Sequence, residues 1–127
     1  MDDEERTTAL GFYHYAHSYA ASAIALSKAS VDATHPRAPM TELFRHAIEL
    51  YLKAYLKHKG VTVLELRKHY GHSIKRLSKK ALLLGLQISA DERALMLGLE
   101  DPSHDRYLRT GTRRILTEAP RLRSALG

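Results

Sequence analysis

No cysteine occurs in this chain. That excludes disulfides, thiolate nucleophiles and cysteine metal centres, and it fits a reducing compartment. No apolar run approaches the roughly 20 residues that a membrane-spanning helix needs. The opening MDDEERTT is acidic, the opposite of a signal-peptide n-region, so the expectation is a soluble, cytoplasmic protein. Sequence signatures of several chemistries are also missing: there is no Gly-rich phosphate loop, no Gly-x-Ser-x-Gly and no His-Glu-x-x-His. Alternating strand patterns, internal repeats and low-complexity tracts are absent as well.

What remains is a chain of 127 residues, 44% apolar, sized for a single domain with one core over 1–127. Its formal charge of +6 favours encounter with polyanions such as RNA or nucleotides, although net charge defines no site. Membrane-surface binding needs a basic amphipathic helix with a bulky apolar face. The segment after His72 comes nearest, and its apolar face reads as core.

Helical periodicity runs throughout. The spacing predicts a first helix from about Glu4 to about Ala33, with Tyr13, Ala16, Ala20 and Ala23 on its apolar face and small residues that admit a close neighbour, from this chain or a second subunit. "THPRAPM" (34–40) reads as a loop, after which Thr41 is expected to cap a second helix ending at Gly60. Phe44, Ala47, Ile48, Tyr51, Tyr55 and Leu56 form its core face. "VTVLELRKHY" reads as a short helix or a turn broken by Gly71. Ile74, Leu77, Ala81 and Leu84 mark a third helix ended by Gly85. Ser89 and Glu92 have capping-box spacing for a fourth, up to about Leu99. A loop over 101–114 and a final helix carrying Ile115, Ala119, Leu122 and Leu126 complete an all-α bundle of four to five helices.

Two stretches carry potential chemistry. Arg45, Glu49 and Lys53 stand at successive i,i+4 steps beside His46. Such a stripe is either a solvated ion-pair ladder, at about 0.3–0.5 kcal/mol per pair, or a polar cleft in which Arg45 or Lys53 meets a phosphate and Glu49 positions them; burial distinguishes the two. In "ELRKHYGHSIKRLSKK" (65–80), Arg67 precedes His72 by five residues, and Lys75, Arg76, Lys79 and Lys80 follow. Histidine titrates near neutrality and suits general acid–base work, while arginine can steady a phosphorane with paired N–H bonds. On one continuous α-helix the two side chains would stand about 140° apart, which opposes their pairing unless Gly71 breaks the helix or a second subunit supplies one of them. The plainer reading makes His72 a helix-start brace and Arg67 a surface charge.

The motif Phe44-x-x-Ala47-x-Glu49-x-x-x-Lys53-Ala54-x-Leu56, followed by Gly71-His72-Ser73-Ile74 and later by Arg106-Tyr107, resembles the HEPN superfamily, closest to its sacsin-like branch, over roughly residues 43–108. The resemblance implies a HEPN-like helical bundle, commonly a homodimer, that binds a nucleotide or RNA. In some members it is the toxin partner of a nucleotidyltransferase antitoxin. Ribonuclease members use Arg-x4–6-His without a metal cofactor. Arg67 and His72 satisfy that spacing, but Lys68 follows the arginine where many toxins have asparagine, and Ile74 stands where they have tyrosine.

The expected ligand-binding residues are therefore Glu49, Lys53, His72, Lys75, Arg76, Arg106 and Tyr107, and the candidate catalytic pair is Arg67 with His72. Tyr107 among Arg106, Arg109, Arg113 and Arg114 suits base stacking and phosphate contact, or is a basic loop. His14 and His17 lie one turn apart, but no third ligand is evident and no metal is expected. Three functions stay open: a nucleotide or RNA binder, a metal-independent ribonuclease toxin, and a protein-interaction module.

Overall fold

A computed structural model describes residues 6–98. The described residues are helical, with no strand among them. The architecture is an all-α bundle: α1 spans Ala9–Lys28, α2 Ala38–His58, α3 Val63–Glu65 running into a π-helical turn over Leu66–Tyr70, α4 Ile74–Leu83 and α5 Ala90–Gly98. No helix among these residues is long and apolar enough to cross a membrane.

The start of α1 is set by Thr8, whose Oγ1 accepts the Gly11 N–H at 2.9 Å. Tyr13, Ala16, Ala20 and Ala23 are buried, as their spacing predicts. The helix ends at Lys28, five residues before the expected Ala33, and Ala29 is already extended. The sequence beyond it, Ser30-Val31-Asp32-Ala33-Thr34, is rich in residues that compete for backbone hydrogen bonds or resist helical rotamers.

Helix α2 begins four residues earlier than its sequence signals suggest. Arg37, not Thr41, occupies the cap position, and the Thr41 N–H already donates to the Arg37 carbonyl at 2.9 Å. Pro39 sits in the first turn, where its missing N–H costs nothing, so the proline belongs to the helix and not to the loop. The other end matches expectation. Gly60 adopts φ 96°, Val61 N–H reaches the Leu56 carbonyl and Gly60 N–H the Lys57 carbonyl, closing a Schellman motif.

The two faces of α2 bury different partners. Ala47, Tyr51 and Ala54 meet Tyr13, Ala16 and Ala20 of α1, where alanines let the two backbones approach. Ile48, Leu52, Tyr55 and Leu56 meet Leu66, Ile74, Leu77, Ala81 and Met96, so α3, α4 and α5 close the other side. Ser89 caps α5, accepting the Glu92 N–H at 3.1 Å. The expected 101–114 loop and final helix lie outside the described residues.

Candidate functional site

The connection from α3 to α4 positions the central histidine. After Thr62 caps α3, the Gly71 N–H bonds back five residues to the Leu66 carbonyl at 2.9 Å, which widens the helix into a π turn. Gly71 then takes φ 53°, ψ −119°, and the Ser73 N–H donates to the Tyr70 carbonyl at 3.0 Å. These are the first central angles and the closing bond of a type II′ turn, with His72 in its second central position. Ser73, not His72, caps α4 by accepting the Arg76 N–H.

His72 is directed elsewhere. Its Nδ1 lies 3.0 Å from Oε2 of Glu49, 23 residues earlier on α2. Lys53 Nζ donates to the same oxygen at 3.1 Å. Glu49 is 1% exposed, so the Arg45–Glu49–Lys53 stripe is not a solvated ladder. A charge this deep is retained only when paired and hydrogen-bonded. Burial pushes the Glu49 carboxyl up, but hydrogen bonds from His72 and Lys53, with their charges, outweigh it and hold the carboxyl below its ordinary value. Glu49 is therefore a carboxylate and can only accept, so Nδ1 of His72 carries the proton. Nε2 is left as the nitrogen that takes up or releases one. Most of the ring stands in solvent, with 78% of the side chain exposed.

Beside this dyad opens a cleft of about 460 Å³ lined by Thr7, Phe12, Lys53, Val63, Leu66, Arg67, Gly71 and His72. Arg67 and His72 thus share one cavity. The 140° separation holds only for one continuous α-helix, and a π turn with a II′ turn at Gly71 joins them instead. The same cleft that Lys53, Arg67 and His72 line takes an apolar lining from Phe12, Val63 and Leu66. Sequence reasoning missed these three, since each reads as an ordinary core position on its own helix.

The remaining candidates separate. Lys75 and Arg76 are exposed on the first turn of α4 and do not line the cleft, and Arg76 reaches back to the His69 carbonyl at 3.4 Å. Arg45 does not line it either, because its Nη2 and Nε grip Glu42, with a shortest distance of 2.6 Å. His14 and His17 contact the Tyr13 ring, His46 packs edge-on against Tyr19, and no group of three metal-ligating side chains gathers among the described residues. Arg106 and Tyr107 lie outside the described residues.

The pH dependence of stability follows from the Glu49 shift. Because the folded carboxyl is depressed below its ordinary value of 4.5, its contribution is fully present above that value and is lost as pH falls through the lower folded value. Urea midpoints taken from neutral pH to about pH 3 should therefore fall more steeply for the wild type than for Glu49→Gln. Parallel curves would show that Glu49 does not supply this dependence.

The fold and site together define an all-α helical protein whose polar cleft is organised by a buried carboxylate. No family model, no curated protein and no solved structure matches the chain.

Proposed function

We propose that the cleft binds the phosphate of a nucleotide or RNA, and that the chain is a HEPN-like domain. The observation that carries this reading is the buried Glu49 carboxylate, which holds both Lys53 and His72 at the edge of a cleft that Arg67 also lines. Among the described residues, the cleft lining carries three nitrogen-bearing side chains, Lys53, Arg67 and His72, and no carboxylate. Its apolar wall suits a flat base or sugar face, while the arginine fork suits phosphate oxygens. A protein of net charge +6 adds long-range attraction for a polyanion. A homodimer and a nucleotidyltransferase partner belong to the same proposal and derive from the family resemblance alone.

Titration with a 5′-mononucleotide and with a short oligoribonucleotide tests the reading. Arg67→Ala should weaken phosphate binding about tenfold at low salt, and added salt should weaken the wild type further. Lys53→Met should have a smaller effect, because that ammonium is already bound to Glu49. Absence of binding by the wild type at low salt, or equal affinity in Arg67→Ala, would sink the proposal.

A second reading is favoured by the Glu49–His72 dyad, which presents Nε2 for acid–base work in the cavity that holds Arg67. It is the metal-independent ribonuclease: His72 exchanges the proton and Arg67 steadies the phosphorane. RNA cleavage in EDTA that disappears in His72→Ala would support it, whereas intact RNA with well-folded wild type would leave binding alone.

A further inference from the structure

The two oxygens of the Glu49 carboxylate are not equivalent. Oε2 takes both short contacts, from Lys53 at 3.1 Å and His72 at 3.0 Å. Oε1 is buried and accepts no hydrogen bond from the described residues. The cation facing it is Arg45, whose Nη1 stands 3.5 Å away while Nε and Nη2 are held by Glu42. Glu42 is largely exposed and fixes the guanidinium from outside; Arg45 is a quarter exposed and spans the gap to the buried carboxylate.

We propose that Arg45 is a positioning residue for His72: clamped by Glu42, it compensates Oε1 of Glu49 and so commits Oε2 to the His72 Nδ1–H. Without a cation at Oε1, the buried oxygen needs another donor, and Lys53, the nearest flexible one, moves to span both oxygens. The carboxylate then turns, and the His72 bond is the one lost, because that ring is mostly in solvent and, among the described residues, Glu49 is its hydrogen-bond partner. Histidine in water favours the Nε2–H tautomer, so an Nδ1–H majority in the folded protein reports directly on the geometry.

The inference rests on His72 being the acid–base group of the cleft for its use, but its test needs no ligand. Ring ¹⁵N shifts of His72 are recorded at a pH where the ring is neutral. The wild type should show an Nδ1–H majority. Arg45→Gln should move the ring toward the Nε2–H majority of free histidine, and Arg45→Lys, which keeps the charge, should restore most of the wild-type pattern. His58, at the far end of α2, serves as the control ring and should not move. Wild-type His72 shifts in folded Arg45→Gln, or the same loss in both variants, would overturn the proposal. Failure of mononucleotide binding would remove the functional reading while leaving this result in place.

Discussion

Glu49→Ala is expected to lower stability by about 3 kcal/mol, the larger of two strong effects in this protein. Glu49 is 1% exposed and meets three cationic or potentially cationic side chains, at 3.0, 3.1 and 3.5 Å. Removing it leaves the Lys53 ammonium, 13% exposed, facing a cavity with no counter-charge. Most of the loss is that stranded charge and not the worth of the ion pair itself, since the desolvation of a buried pair offsets much of its attraction. A second variant separates the two contributions. Glu49→Met combined with Lys53→Met removes both charges and keeps the volume, so it should recover most of the lost stability while leaving His72 without its anchor. Urea unfolding of the two variants measures the difference. Equal losses in both would mean that packing around Glu49, and not charge, dominates.

Gly71→Ala should cost about 2 kcal/mol for a different reason. A Cβ at this position meets nothing within 4 Å, so no clash with neighbours is involved. The penalty lies in the backbone: φ 53°, ψ −119° is the first central conformation of a II′ turn, which L-residues avoid. Asparagine, which tolerates the left-handed helical region, gains little because ψ −119° lies outside it. D-alanine introduced by semisynthesis adopts these angles without strain and should restore stability. Relaxing the turn in Gly71→Ala also moves His72, the next residue, away from Glu49. The His72 ring tautomer should therefore change in Gly71→Ala and return to the wild-type state in the D-alanine protein. An unchanged melting temperature in Gly71→Ala would mean that the turn does not hold these angles in solution.

Local sequence signals located most of the helices. The spacing of Tyr13, Ala16, Ala20 and Ala23 and of Phe44, Ala47, Ile48 and Tyr51 marks faces that are buried in the fold. Gly60 and Gly85 end helices because the Schellman motif needs positive φ one residue past the cap. Boundaries were less legible. Thr41 looks like a cap and Pro39 like loop, but a proline at N2 fits a first turn as well as a turn outside it, and nothing local distinguishes the two. The helix-wheel argument on Arg67 and His72 applied to one α-helix and left a break at Gly71 open; the break is there, but a π turn before it leaves no mark in apolar spacing over so short a stretch.

The candidate site divides along the same line. Sequence alone established the chemistry on offer: a carboxylate between two cations at i,i+4 steps, a histidine after a glycine, an arginine five residues before it, and no cysteine or phosphate loop. It also established helical architecture, because periodicity and capping are local properties. Only the tertiary structure decided that Glu49 is buried, that His72 and not solvent satisfies it, and that Phe12 from α1 joins Val63, Leu66, Arg67 and His72 around one cleft. The physical reason is that α2 is covered on two sides, by α1 and by α3 with α4. Whether the stripe between those covered faces lies in water or under a neighbouring turn depends on where α3 and the II′ turn dock, and contacts between residues tens of positions apart set that docking.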